Sequence, residues 1–183
     1  MNRARTRFAP FAAVAALAAA AALTFTPVSA ELPKRAKAPG FSTQAALAGK
    51  EFRFTLDAAL AKGPVVLYFY PKAFTGGCTL EANAFAAAAP QFEAAGASII
   101  GMSNDTIATL KRFSREECRD AFPVGVASAR IMAAYDVDGG GSAYASRTSY
   151  VIAPGGSIVA VHSNPDYRGH VEKTLAAVRA LRK

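Results

Sequence analysis

The chain has 183 residues, of which 52% are hydrophobic, and a formal net charge of +8 at neutral pH. Its basic residues are scattered, and they form no run with interleaved aromatic residues of the kind that binds nucleic acid. We therefore expect no nucleic-acid partner and a single domain large enough to bury a full core without staples. The two cysteines are then free of a necessary structural role.

Arg3, Arg5 and Arg7 precede an alanine-rich apolar run over residues 8–25, which is followed by small residues at 28–30. This order is typical of a secretory signal peptide, whereas a membrane anchor needs ~20 strongly apolar residues. We predict a signal peptide at residues 1–30, a periplasmic or secreted protein, and no stable membrane association after cleavage. Cleavage leaves 153 residues and lowers the formal charge to +5.

Residues 31–38 are polar, basic and proline-punctuated, so we assign them to an extended linker and place one domain at residues 39–183, with order beginning near Gly40. Glu51–Leu56 alternates apolar with polar residues and predicts a half-buried strand. Val65–Tyr70 is apolar throughout, which predicts a strand covered on both faces and a candidate for the centre of the sheet.

The later segments alternate between helical and strand patterns and end in a hairpin and a helix, which indicates an α/β sandwich. We expect Pro90 to kink the first long helix, and Asn104 or Asp105 to cap the next one. The predicted elements are a helix at Cys78–Gly96, a strand at Ala97–Ser103, a helix to about Cys118, a strand at Pro123–Val126, a short helix through Ile131 and Tyr135, a flexible loop at Asp136–Tyr144, strands at Thr148–Ile152 and Ser157–Val161, and a helix at Tyr167–Leu181.

Cys78 lies where the apolar strand passes into the first long helix, behind the run Pro71-Lys72-Ala73-Phe74-Thr75-Gly76-Gly77. The first N–H groups of a helix have no intrahelical partners and carry partial positive charge, so they favour a thiolate. A buried, inert thiol is the alternative. The placement predicts a nucleophile.

Other polar residues offer less chemistry. His162 and His170 have no acid or cysteine cluster at ligand spacing, so we place them at a strand end and on a helix surface and expect no metal. Glu81 is interpreted as a first-turn acid that complements the helix dipole. The segment from Asp136 fails as a calcium loop, because Arg147 stands where the bidentate acid is needed.

The pattern Pro71-x-x-x-Thr75-x-x-Cys78, followed downstream by Arg147-Thr148-Ser149-Tyr150-Val151-Ile152, resembles the peroxiredoxins. Tyr70-Pro71-Lys72 and Cys78-Thr79-Leu80-Glu81 are similar to the branch named for bacterioferritin comigratory protein, the Q-type branch. The resemblance implies a thioredoxin-like fold, a three-layer α/β/α sandwich with a central mixed sheet and an N-terminal strand addition.

The resemblance also implies the roles of the matched residues. Cys78 is the peroxidatic thiol that becomes a sulfenic acid. Arg147 holds a positive charge beside the thiolate and the peroxide. Thr75 places its hydroxyl against the peroxide, although a helix-capping role is compatible with this, and Pro71 covers the pocket.

The chain departs from the branch at the resolving position. Many members carry a resolving cysteine five residues after the peroxidatic one, and here that position is Asn83. Some members resolve from the following helix, so we expect Cys118 to form a disulfide with Cys78 after local unwinding, because a disulfide needs Cα atoms ~5.5 Å apart. A one-cysteine enzyme with an inert Cys118 is the alternative.

We accordingly predict a thiol-dependent, antioxidant peroxidase that reduces hydrogen peroxide and small alkyl hydroperoxides with electrons from a thioredoxin-like, glutaredoxin-like or small thiol. No cofactor is expected, and the chain is expected to be a monomer or a weak homodimer. One rival is an exported thiol-disulfide oxidoreductase, although Cys78 lacks a Cys-x-x-Cys partner. The other is a non-catalytic domain with a structural Cys78–Cys118 disulfide.

Overall fold

The computed structural model describes residues 31–139 and 141–182, so the predicted signal peptide lies outside the described residues. The strands are β1 (Ser42–Leu47), β2 (Lys50–Thr55), β3 (Val65–Phe69), β4 (Ser98–Ser103), β5 (Val124–Val126), β6 (Thr148–Ile152) and β7 (Ile158–Ser163). The helices are α1 (Leu56–Leu60), α2 (Gly76–Ala94), α3 (Ile107–Glu116), α4 (Ala129–Ala134) and α5 (His170–Ala180).

The strands form one mixed sheet in the order β2-β1-β5-β4-β3-β6-β7. Strand β3 pairs in parallel with β4 and antiparallel with β6, so it is an interior strand, but β4 occupies the middle position that we had expected for β3. The β1–β2 hairpin joins the sheet through β5. Because β3 is paired on both sides, the loop that follows it starts from a fixed point.

Both faces of β3 are buried, as its apolar run predicts. Val66 and Tyr68 face one core, to which α2, α3 and α5 contribute, and Val65 and Leu67 face a second core with α1 and α4. The molecule therefore has the expected three α/β/α layers. Cys78 and Cys118 both lie in the first core.

Several boundaries differ from the expectations. Strand β1 was not predicted, because its Ala-rich sequence lacks the alternation that marks a strand. Helix α2 continues through Pro90, which is exposed, and its last turn buries Phe92 completely. The packing of this turn outweighs the loss of about 3 kcal/mol that a proline inside a helix causes. Thr106, rather than Asn104 or Asp105, caps α3 by accepting from the Thr109 N–H.

Part of the segment assigned to a linker packs on the domain. Arg35 N donates to the Ile158 carbonyl at 2.7 Å, and Lys37 forms an isolated bridge with Ser157. Ala38 is buried. In residues 31–139 and 141–182, no helix combines the length and apolarity needed to cross a bilayer.

Candidate active site

Cys78 is the third residue of α2, and its side chain is buried, with only 2% of the residue exposed. Thr75 is the N-cap residue in extended conformation, and its carbonyl accepts the Thr79 N–H at 2.8 Å. The N–H groups of the first helical turn precede that bond and point toward the helix start, where they favour negative charge. The predicted placement of Cys78 at the strand-to-helix transition is correct.

Thr75 is at the helix start, but its hydroxyl does not cap the helix. It donates to the Lys72 carbonyl at 2.9 Å, which leaves the oxygen's lone pairs able to accept a hydrogen bond. Phe74 before it has φ 63°, in the left-handed region, so the loop turns sharply into the helix. Thr75 is exposed beside the site, and its contact with peroxide stays a prediction.

Arg147 immediately precedes β6, is only 9% exposed, and uses its guanidinium as a three-way fork. Nη2 donates to the Cys78 sulfur at 3.4 Å, Nη1 donates to a Glu81 carboxylate oxygen, and Nε donates to the Pro165 carbonyl at 2.9 Å. A lysine could not make these three bonds in fixed geometry. The structure thus brings Arg147 and Cys78 together, although they are far apart in sequence.

Gly77 gives the guanidinium its space. A Cβ atom built on Gly77 would lie 3.2 Å from Arg147 Nη2, whereas one built on Gly76 would meet nothing within 4 Å. Neither glycine is needed for a positive φ. A side chain at position 77 would therefore push against Arg147 where it approaches the first turn of α2.

Glu81 does not lie at the helix start as a solvated acid, which corrects the sequence interpretation. It lies beyond the first turn of α2, is fully buried and forms an ion pair with Arg147. Burial raises the pKa of Glu81 to about 7, even though Arg147 lowers it. The carboxyl group therefore changes charge near neutral pH.

His170 is also buried rather than on a helix surface, because its ring turns inward from the first turn of α5. Its Nδ1 lies 2.8 Å from Ser149 Oγ and 3.6 Å from Glu81 Oε1. Burial is the main cause that lowers the pKa of His170 to about 4. The ring of His162, near the end of β7 as predicted, lies 4.5 Å away between centroids.

Pro71 and Arg147 line a small surface cleft together with Ser146, Ser163 and Pro165. The Arg147 guanidinium lies between this cleft and the Cys78 sulfur, which does not itself line the cleft. The larger groove beside α3, which includes Lys111 and Arg115, contains neither. Among the described residues, no three His, Cys, Asp or Glu side chains are grouped to bind a metal.

Cys118 lies just beyond the end of α3, completely buried, and both cysteines are free thiols. Burial, assisted by the acidic side chains of Glu117 and Asp120, raises the pKa of the Cys118 thiol far above its usual range. Burial likewise raises the pKa of Tyr68, and the sulfurs of both Cys118 and Cys78 add to that increase. The two cysteines thus lie around the same aromatic core.

Asn83 ties α2 to the segment that carries Cys118. Its Nδ2 donates to Glu117 Oε2 at 3.0 Å and to the Thr79 carbonyl at 2.8 Å, and its Oδ1 accepts from Arg119. The residues on both sides of Cys118 are therefore held by the residue that stands at the branch's usual resolving position. From the sequence alone, Asn83 is recognisable only as the position of a missing cysteine, and no local pattern indicates the partners of Glu81 and His170.

The comparisons with known proteins agree with this geometry. The model of the AhpC/TSA family matches residues 35–161. Peroxiredoxin Bcp of Xanthomonas campestris is 33% identical over 126 residues, which cover 65% of this chain and 78% of that protein.

Two solved structures are similar in both fold and sequence. Peroxidoxin BcpB of Mycobacterium tuberculosis has a TM-score of 0.73 and 30% identity, with 82% of this chain and 98% of that chain covered. Peroxiredoxin Q of Xanthomonas campestris has a TM-score of 0.65 and 32% identity, with 76% and 91% covered. The fold is therefore the expected thioredoxin-like one.

A buried thiol at a helix start on this fold, with relatives that carry these names, defines the class as thiol-dependent peroxidases. The chain belongs to the AhpC/TSA family and is a peroxiredoxin of the Bcp or Q type. Peroxiredoxins reduce peroxides with electrons from thiols. The comparisons thus confirm the predicted family, fold and enzyme class.

Proposed function

We propose that Cys78 is the peroxidatic residue. Its thiolate attacks the terminal peroxide oxygen, the O–O bond breaks, and the sulfur is oxidised to a sulfenic acid while the leaving oxygen takes a proton to become water or an alcohol. The observation that carries this assignment is the Arg147 Nη2 to Cys78 Sγ contact of 3.4 Å at the positive end of α2. Both features stabilise the thiolate and the charge that develops on oxygen.

The substrates are hydrogen peroxide and small alkyl hydroperoxides. The Thr75 hydroxyl, whose own proton goes to the Lys72 carbonyl, accepts a hydrogen bond from the peroxide, and Pro71 covers one side of the cleft beside Arg147. The cleft is small, which suits a small peroxide. A Xanthomonas campestris relative, 31% identical with a TM-score of 0.65, is described in terms of its alkyl peroxide reduction activity, which supports this substrate class.

Cys118 resolves the sulfenic acid. Its thiolate attacks the Cys78 sulfur, an S–S bond forms, and hydroxide leaves as water after taking a proton. The buried Cys118 thiol must first be exposed, because burial disfavours its ionised form. Arg119 and Asp120, which directly follow it, both have positive φ (51° and 59°), so this segment is held in strained conformation and gains from opening.

Turnover is completed by an external thiol of the thioredoxin, glutaredoxin or small-molecule class, which reduces the disulfide. The protein works in the periplasm or outside the cell, because residues 1–30 have the composition of a secretory signal peptide. This location supplies an oxidising environment in which the Cys78–Cys118 disulfide persists until it is reduced.

Single-turnover oxidation of the reduced mature protein tests the division of roles. Cys78→Ser is expected to abolish rapid peroxide consumption, and Cys118→Ser to leave the first oxidation intact but to accumulate sulfenic and sulfinic acid on Cys78. Mass spectrometry of the wild type after one equivalent of peroxide should show a Cys78–Cys118 linkage. Rapid consumption by Cys78→Ser would refute the peroxidatic assignment, and persistent sulfenic acid in the wild type would refute resolution by Cys118.

A further inference from the structure

A cluster of polar side chains lies behind Arg147, on the side away from the Cys78 sulfur. Glu81, Ser149 and His170 are each completely buried, and they come from α2, β6 and α5. Peroxide reduction as described above makes no use of His170. Burial of a carboxyl and an imidazole is unfavourable unless their hydrogen bonds are satisfied, so the arrangement calls for a specific reason.

The hydrogen-bond partners of His170 fix its tautomer. Nε2 lies 3.1 Å from the Asn164 carbonyl, which can only accept, so the ring proton of the neutral imidazole is on Nε2. Nδ1 then presents its single lone pair, with Ser149 Oγ at 2.8 Å and Glu81 Oε1 at 3.6 Å. Because a hydroxyl group rotates, the Ser149 hydroxyl donates to that lone pair only while Glu81 does not. The side of the ring that faces Glu81 is thus an acceptor.

Glu81 presents a second acceptor to the same point. One carboxylate oxygen, Oε2, receives the Arg147 Nη1 hydrogen bond, but Oε1 is buried without any hydrogen-bond partner and lies 3.6 Å from His170 Nδ1. A proton on Oε1 gives this buried oxygen a hydrogen-bond partner in the Nδ1 lone pair, once the Ser149 hydroxyl turns away and the two atoms approach by about half an ångström.

We propose that His170 is a positioning residue for the peroxidase reaction, which accepts at Nδ1 a proton carried by Glu81 and thereby directs the positive charge of Arg147 toward Cys78. The Arg147 fork lies between a carboxyl and a sulfur. When Glu81 is ionised, it competes with the thiolate for that charge and also repels it. When Glu81 carries the proton on Oε1, its Oε2 still accepts from Arg147 Nη1 but no anion remains there, so the positive charge acts mainly on the sulfur and the peroxide.

The titration behaviour of the pair is consistent with this geometry. The pKa of Glu81 is raised to about 7 by burial, and the pKa of His170 is lowered to about 4 by burial, with smaller effects of neighbouring cations, so the shared proton resides on Glu81. The titratable and charged groups that face the pair are Cys78 on α2, Arg147 before β6, Tyr68 on β3, His162 on β7 and Lys173 on α5.

The experiment measures the rate of Cys78 oxidation by hydrogen peroxide against pH, in matched variants of His170. His170→Gln keeps a donor for Asn164 but loses the acceptor at Nδ1, whereas His170→Asn keeps an acceptor at that position. The oxidation rate is expected to change over the pH range in which Glu81 loses its proton, and this step should lie about one pH unit lower in His170→Gln. That shift corresponds to roughly tenfold weaker binding of the proton by Glu81. The step is expected to return toward the wild-type position in His170→Asn.

Glu81→Gln supplies the decisive background, because its neutral amide imitates the protonated carboxyl and should remove the step. His170→Gln should then have no further effect on the pH profile of Glu81→Gln. An equal effect of His170→Gln in both backgrounds would mean a structural role and would overturn the proposal. If His170→Gln fails to fold, by circular dichroism, His170→Asn decides together with Glu81→Gln. A step near the wild-type pH in His170→Asn that is absent from Glu81→Gln supports the proposal, whereas a step about one pH unit lower, or one that persists in Glu81→Gln, overturns it.

The inference rests on Cys78 as the peroxidatic thiol, and the two can fail separately. Retained peroxide consumption in Cys78→Ser contradicts the proposed function itself. Loss of consumption in that variant, combined with a pH profile that neither Glu81→Gln nor His170→Gln alters, leaves the proposed function intact and overturns only the role of His170.

Discussion

A methyl group at position 77 should slow the first oxidation step without damaging the fold. The Cβ of Gly77→Ala would lie 3.2 Å from Arg147 Nη2, closer than the ~3.5–4.0 Å of a relaxed contact, so the guanidinium must retreat by a few tenths of an ångström. That retreat lengthens the 3.4 Å contact with Cys78. A hydrogen bond to a charged group contributes about 1.5–3 kcal/mol, and loss of part of it, about 1 kcal/mol, predicts oxidation about fivefold slower.

Quenched-flow alkylation of Cys78 at a fixed peroxide concentration measures this rate, since the chain contains no tryptophan to report by fluorescence. Gly76→Ala is the matched control, because nothing lies within 4 Å of its added Cβ. The control should oxidise at the wild-type rate and gain about 0.5 kcal/mol in free energy of unfolding from the stiffer unfolded chain. Equal rates in the two variants would refute the argument that Arg147 acts through its contact with Cys78.

Two further predictions concern the segments around the site. Asn83→Ala removes the hydrogen bonds to the residues on both sides of Cys118 and should speed formation of the Cys78–Cys118 disulfide about threefold, as followed by mass spectrometry without reductant. Gln91→Ala is the control on the same helix, because Gln91 bonds to α5 instead, and it should leave the rate unchanged. A slower rate in Asn83→Ala would contradict a restraining role for Asn83. The free energy of unfolding of His170→Gln should rise by roughly 2 kcal/mol as pH falls from about 6 to 4.5, because the remaining Glu81, whose raised pKa is about one unit lower in this variant, binds its proton more tightly when folded. The free energy of unfolding of Glu81→Gln should instead fall by a similar amount as pH falls below about 6.5, because the remaining His170 binds its proton more tightly in the unfolded chain. Urea titrations in which both variants gain, or both lose, stability on acidification would contradict the assignment of the two protonation states.

The site as a whole sets two anions in competition for one cation. Arg147 is shared between Cys78 and Glu81, and the resulting charge balance depends on a buried carboxyl whose pKa is near neutrality. Such a balance makes the reactivity of the sulfur sensitive to groups that never touch the peroxide.

The local sequence predicted the elements that carry the chemistry. An apolar run gave β3 as a buried strand, the glycine-rich loop located the start of α2, and Cys78 followed at the strand-to-helix transition. These features depend on neighbours a few residues apart, so patterns of hydrophobicity and helix-end electrostatics are sufficient to read them. The pairing of Arg147 with Cys78 was available only through resemblance to a family.

Tertiary structure alone decided the surroundings of Arg147. Helix α2 is rich in alanine on all sides, so no polar face in its sequence distinguishes buried Glu81 from an exposed acid. The contact of Glu81 with His170 exists because α5 packs against α2 and β6, across 89 residues of chain. Sequence therefore determined where the reactive thiol stands, since that is a local property, whereas the packing of distant elements determined which charges surround it.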